Sequence, residues 1–161
     1  MKVGITGHQR LDRGSGWTVI REDLRQQLRA IPRPLIGLSS LAVGSDQLFA
    51  GEILRIGGDL EAVVPFPGYE RLLDGRGLVS FRRYIARAKQ VVVLEPRATN
   101  EESFFEAGKY IVDHVDLLLG IWDGLPAGGL GGTADVIVYA RSIGRDTIVI
   151  DAASWRIHDD K

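Results

Sequence analysis

The sequence predicts an α/β domain: a doubly wound, mainly parallel sheet with helices on both faces. Three observations carry this. Short, nearly continuous apolar runs alternate with segments whose apolar residues recur at helical spacing. The runs lack the apolar–polar alternation of a half-solvated strand, as expected of strands covered on both faces. The 20 glycines exceed the ~7% average and gather after those runs, where a chain turns tightly or approaches something closely.

Taken in order, residues 2–6 (KVGIT) read as the first strand, followed by the loop GHQRLDRGSG. Trp17, Ile20, Leu24, Leu28 and Ile31 form one face of a helix, with Arg21, Glu22, Arg25 and Arg29 opposite; Pro32 and Pro34 stop it. Residues 35–38 are the second strand, and a helix from 44 to about 56 ends at Gly57-Gly58. Residues 60–66 are the third strand, which Pro65 and Pro67 keep from continuing as a central strand. A glycine-rich loop over 67–80 leads to a short basic helix over 79–88 and a fourth strand over 90–95. Thr99-x-x-Glu102 is a capping box opening a helix whose apolar face is Phe104, Gly108, Ile111 and Val115. Residues 115–122 are the fifth strand, DGLPAGGLGGT a long loop, 133–143 a helix and 146–150 the last strand, before a short polar tail. No boundary, repeat or low-complexity segment interrupts this order, so residues 1–161 read as one Rossmann-like domain.

Composition narrows the function classes. Twenty Lys and Arg stand against 21 Asp and Glu, a balance that disfavours a nucleic-acid partner, since phosphate-backbone binders carry a basic excess. Without cysteine there is no disulfide, thiolate metal site or cysteine nucleophile. The opening MKVGITGHQR lacks a signal-peptide core, and no apolar run approaches the ~20 residues of a membrane span. A cytoplasmic protein without a membrane partner is expected.

Ligands of open parallel sheets bind outside the carboxyl ends of the strands. Three polar, glycine-bearing segments fall there. The first is Gly7-His8-Gln9-Arg10, where Arg10 offers a bidentate fork to phosphate and His8 a hydrogen bond or a proton. The second is Gly44-Ser45-Asp46, where Gly44 permits close approach, Ser45 offers a donor to phosphate and Asp46 suits ribose hydroxyls; a plain helix cap explains it almost as well. The third runs from Asp123 to Asp135. Within it Gly131, Gly132 and Thr133 lead into a helix whose exposed amides attract anions. Trp122 offers a face to a base, Asp123 an acceptor to a ribose or base edge, and Gly124 a turn. Tyr69 is read either as a pocket cover or as a packing residue. His8, His114 and His158 have no metal-ligand spacing, so no metal site is expected; no cofactor is required, and Mg²⁺ would enter only alongside a phosphate.

The opening GITGHQRL, the central SSLAVGSDQLFAGE with VVPFPGYE, and the late YIVDHVDLLLGIWDG with GGTADVIVYAR resemble the SLOG superfamily over about residues 2–151. This Rossmann-like group includes the LOG, DprA and YpsA-like proteins. The resemblance implies a nucleotide-type ligand: ADP-ribose-like signals in sensor members, and nucleoside monophosphates in LOG enzymes, which cut the N-glycosidic bond. LOG enzymes carry P-G-G-x-G-T-x-x-E. With its Gly-Thr on Gly132-Thr133, Val136 falls where the catalytic Glu belongs, and Glu106-Ala107-Gly108-Lys109 stands in place of the LOG Arg-Lys pair.

Two functions follow as expectations. The first is a binding or sensing module, signalling through a separate effector protein or a change of oligomer. The second is a LOG-like N-glycosidase. Its candidate catalytic groups are Asp135, Glu106 and His8, with Asp46 and Asp123 as further carboxylates near an oxocarbenium-like transition state. A homodimer or larger is expected, with Phe104, Phe105 and the helix after Thr133 contributing its surface.

Overall fold

A computed structural model describes residues 1–11 and 16–153; the loop predicted over 7–16 lies partly, and the polar tail and His158 largely or wholly, outside the described residues. Six strands, β1 (Lys2–Gly7), β2 (Ile36–Ser39), β3 (Asp59–Val64), β4 (Gln90–Val93), β5 (Leu117–Trp122) and β6 (Asp146–Asp151), form one sheet in the order β4-β3-β2-β1-β5-β6. Every pairing is parallel. Five helices connect them: α1 (Gly16–Ala30), α2 (Ser45–Arg55), α3 (Gly75–Arg87), α4 (Asn100–Asp113) and α5 (Thr133–Ser142). No described helix is long and apolar enough to cross a membrane.

Strand alternation sorts the core into two faces. Val3 and Ile5 of β1 and Leu117, Leu119 and Ile121 of β5 pack on Ile20, Leu24 and Leu28 of α1 and on Phe49 and Ile53 of α2. Leu60, Ala62 and Val64 of β3 extend this face under Phe81 and Tyr84 of α3. The intervening residues Leu38, Val63 and Leu118 meet Ala107, Ile111 and Val112 of α4 and Val136, Ile137 and Ala140 of α5 on the other face. The central strands are apolar on both sides for this reason. Edge strands β4 and β6 leave Val91, Val93, Ile148 and Val149 exposed, because each has a neighbour on one side only.

The 67–80 segment is more ordered than its glycines suggest. Gly68, at φ 82°, starts a 3-10 turn over Tyr69–Leu72, and α3 begins at Gly75 rather than at 79. Tyr69 is its anchor, edge-on to Phe66, Phe81 and Phe104 at 5.7–6.0 Å. Phe104, expected at a dimer surface, instead stacks inward on Phe66, because α4 lays this face on the sheet; Phe105 turns to Tyr139 of α5.

Helices α1 and α2 are tied by a buried carboxylate. Arg25 of α1 grips Glu52 with two bonds of 2.9 and 3.0 Å, and Arg55 donates to it at 2.6 Å. Burial pushes the Glu52 carboxyl up, but the two guanidiniums hold it below its ordinary range.

At Gly44 the chain runs at φ 93°, and a Cβ there would sit 2.4 Å from the Gln9 carbonyl oxygen and 2.6 Å from that of His8. Its close approach is therefore to the protein's own β1–α1 loop and not to a ligand. Gly44→Ala should cost at least about 2 kcal/mol, from the left-handed conformation plus the clash, read as a lowered urea midpoint.

Candidate functional site

The strand order reverses between β1 and β5, where Gly7 pairs with Ile121. Connections leave the two strands for opposite faces there, and a crevice opens at their carboxyl ends. A cavity of about 290 Å³ fills it, lined by residues of all three predicted segments: Gly7 and His8, Asp46, and Trp122 with Gly131, Gly132 and Thr133. Ser40 and Ala42 after β2, Pro65 after β3, Tyr69, and Phe104 and Gly108 of α4 also line it.

Of the helix N-termini whose cap residues are described, those of α2 and α5 contribute to this cavity, and only that of α5 is open. That of α2 is closed by the protein: the Ser45 amide donates to the His8 carbonyl at 3.1 Å and its hydroxyl to the same oxygen at 2.8 Å. Ser45 is fully buried, so the expected phosphate contact from this side chain does not form. The α5 N-terminus is capped by Gly132, which has no side chain to occupy the first-turn amides. The loop before it is pinned from behind: the Asp135 carboxylate accepts from the Gly131 amide at 3.0 Å, and a Cβ on Gly131 would lie 2.8 Å from the Glu101 oxygen and the Phe105 nitrogen of α4. Asp135 thus acts as a clamp on the turn and does not line the cavity.

Asp46 is the one carboxyl lining the cavity among the described residues. It is 8% exposed and accepts from the Ser40 amide at 3.1 Å. Burial pushes its pKa up to about 7, against the opposing bonds from Ala42, Ser39 and Ser40. Burial, then the Asp46 charge, pushes the Tyr69 phenol up in turn. Leu41, between Ser40 and Ala42, is buried at φ 59°, a strained conformation placed where the β2 end bends around this carboxyl.

His8 Nε2 lies 3.3 Å from both the Asp123 amide nitrogen and a carboxylate oxygen of the same residue. The amide can only donate and the carboxylate only accept, so Nε2 takes the first contact when it carries no hydrogen and the second when it does, in the neutral Nε2–H tautomer or the imidazolium. Burial pushes the Asp123 carboxyl up, but the Leu125 amide and His8 bring it below its ordinary value. Asp123 stands behind His8 and does not line the cavity; Gly124, at φ 81°, makes the turn that follows. The Trp122 indole donates to the Leu125 carbonyl at 2.7 Å, which fixes its ring in the wall.

Two predicted residues lie elsewhere. Arg10 is exposed and off the cavity. Glu106 pairs with Lys109 at 2.5 Å and Arg97 at 3.4 Å on the outer part of α4. Lys109 chiefly keeps its carboxyl below the ordinary range, and Glu106 does not line the cavity. Val136, aligned with the LOG catalytic Glu, is a 3% exposed part of the cavity wall; a Cβ on Gly108 would meet it at 2.6 Å. Ser40 and Ala42 are not among the residues the sequence points to, and Phe104 is there only as a helix-face and dimer-surface residue. Ser40 and Ala42 do carry a signal, being small residues at a strand's carboxyl end. No described group of three or more His, Asp or Glu could hold a metal ion.

The Asp46 shift has a measurable consequence. A carboxyl whose folded pKa is raised contributes full stability below its unfolded pKa and loses it as pH rises through the folded value of about 7. Asp46→Asn removes this loss. Relative to the parent, the variant should gain about 2–3 kcal/mol between pH 5 and pH 8 in urea unfolding.

No protein-family profile matches the chain, and no curated protein matches it. Solved structures do. DNA processing protein A (DprA) from Streptococcus pneumoniae superposes with a TM-score of 0.65 at 17% identity, covering 98% of this chain and 56% of that one. DprA from Helicobacter pylori, whose structure is described for its single-stranded DNA binding mode, gives 0.65 at 13% identity, covering 99% and 73%. The protein TM1055 gives 0.59 at 17% identity, covering 91% and 71%. This chain thus spans little more than half of the S. pneumoniae protein. The likeness is one of fold: the chain has the six-stranded, all-parallel Rossmann-like architecture found in the DprA structures, the architecture that its SLOG resemblance implies.

Proposed function

We propose that the crevice between β1 and β5 binds a nucleotide-type small molecule of about mononucleotide size. One observation carries the reading: the open α5 N-terminus, Gly132-Thr133, lines the same cavity at the strand-order reversal as His8 and Asp46. First-turn amides and the α5 dipole suit a phosphate. His8 and Asp46 then meet the sugar or base. The volume of about 290 Å³ is just below the ~300–1,000 Å³ range of ligand pockets, which favours a nucleoside monophosphate over an ADP-ribose-sized ligand.

Asp46 favours a second reading, cleavage of the N-glycosidic bond. A carboxyl with a pKa of about 7 retains a proton to give to a departing base near neutral pH. In this reading Asp46 replaces Asp135 and Glu106, which support the turn and the outer face of α4. Nucleic acid also returns as a competing ligand. Balanced total charge says nothing about how the charges are distributed, and the H. pylori protein of the same fold is described as binding single-stranded DNA. For assembly, a homodimer through α5, with Val138 and Ile143 exposed, is the corresponding proposal. A light-scattering mass of one chain would exclude it.

The decisive test compares AMP, GMP, CMP, ADP-ribose, adenosine and a short single-stranded oligonucleotide by thermal shift, with mass spectrometry for free base. AMP should stabilise more than adenosine does. Thr133→Asp should weaken AMP about tenfold or more while leaving the fold intact, since a carboxylate is favourable in a helix first turn but repels phosphate. Equal shifts for AMP and adenosine would refute phosphate anchoring. Free base that vanishes with Asp46→Asn would establish hydrolysis.

A further inference from the structure

A second cavity, of about 520 Å³, lies on the helical face away from the crevice, between α1, α2 and α3. Five arginines line it: Arg21 and Arg25 from α1, Arg55 from α2, and Arg83 and Arg87 from α3. Its one carboxylate is the buried Glu52. Glu22, at the edge of the groove, also lies 3.8 Å from Arg25, so five guanidiniums face two carboxylates and about three positive charges stay without a counter-charge. This concentration is not a consequence of composition, because the whole chain is close to neutral at −1.

The arrangement is built. Glu52 fixes the planes of Arg25 and Arg55 by the bonds described above, and Arg21 reaches it only at 4.0 Å. Arg83 lies 5.0 Å from the Tyr84 ring centroid and donates to its hydroxyl at 3.3 Å. Among the described residues, neither Arg83 nor Arg87 has a carboxylate within ion-pair distance. The helices also close on each other here, since a Cβ on Gly51 would lie 2.8 Å from the Tyr84 hydroxyl oxygen. Guanidinium forks match phosphate oxygens two at a time, and all five cations are arginine. Like charges so gathered repel one another unless an anion joins them.

We propose that this groove binds a small polyphosphate anion of about three to four negative charges, such as the phosphate chain of a nucleoside triphosphate or free tripolyphosphate. A single phosphate, at about −2, would leave part of the charge unmatched. The proposal is independent of the crevice and its ligand: the crevice opens at the strand ends, whereas this groove lies over the outer side of three helices.

Titration calorimetry of the full chain with sodium tripolyphosphate at low salt tests it. One anion should bind per chain, and affinity should fall about tenfold or more between 50 and 300 mM salt. Arg83→Gln/Arg87→Gln should weaken binding about tenfold or more. Neither side chain bonds Glu52, so the fold should keep its melting temperature. Thr133→Asp, which disables the crevice reading, should leave tripolyphosphate binding unchanged. ATP binding with the same sensitivity to the double variant would support the proposal and identify the chain as part of a nucleotide. Absence of binding at millimolar tripolyphosphate, or binding that survives the double variant, would overturn it. A single-stranded oligonucleotide that binds more tightly than tripolyphosphate, and is lost in the same variant, would overturn it in favour of a nucleic-acid backbone.

Discussion

The reversal of strand order at β1 is the constraint on which the rest of this structure depends. The chain builds outward from β1 through β2 and β3 to β4, then returns across the sheet to lay β5 against the other side of β1. Helices α1, α2 and α3 therefore cover one face, and α4 and α5 the other. Where the two sets part, at the carboxyl ends of β1 and β5, no helix can cover the strand ends, and the crevice follows from the winding.

Local chemistry then decides what kind of crevice it is. The β1 loop folds back over α2, and the His8 carbonyl occupies the helix start through Ser45. With that helix start closed, the α5 start stays open among the described helix caps. The same fold-back encloses Asp46 with no cation at ion-pair distance among the described residues, and burial raises its pKa as desolvation demands. Contrast Glu52, on the same helix and similarly buried but bonded to two arginines: its carboxyl stays low. One helix thus carries a neutralisable acid toward the crevice and a permanently charged one toward the arginine groove.

The two carboxylates assigned to catalysis from their chemistry are explained by ordinary structural duties. Asp135, three residues into the turn of α5, reaches back to the Gly131 amide as first-turn acids commonly do. Glu106 has cations one helical turn away and across the preceding loop. Residue type placed both on the candidate list; neighbours that only the folded chain supplies removed them from the cavity.

Periodicity and punctuation were enough to determine the order of strands and helices, the capping box at Thr99 and the stop after β3 at Pro65, because these depend on neighbours within one or two turns of the chain. The same local signals located the three strand-end segments that meet in the crevice. What only the tertiary structure decided is direction and company. Gly44 has the same sequence signature whether it approaches a phosphate or the Gln9 carbonyl, and Asp46 the same whether solvated or enclosed. Arg21, Arg25, Arg55, Arg83 and Arg87 are ordinary solvated helix faces in the sequence, scattered over 67 positions. They become one groove because three helices pack side by side on one face of the sheet, a long-range outcome that spacing along the chain does not encode.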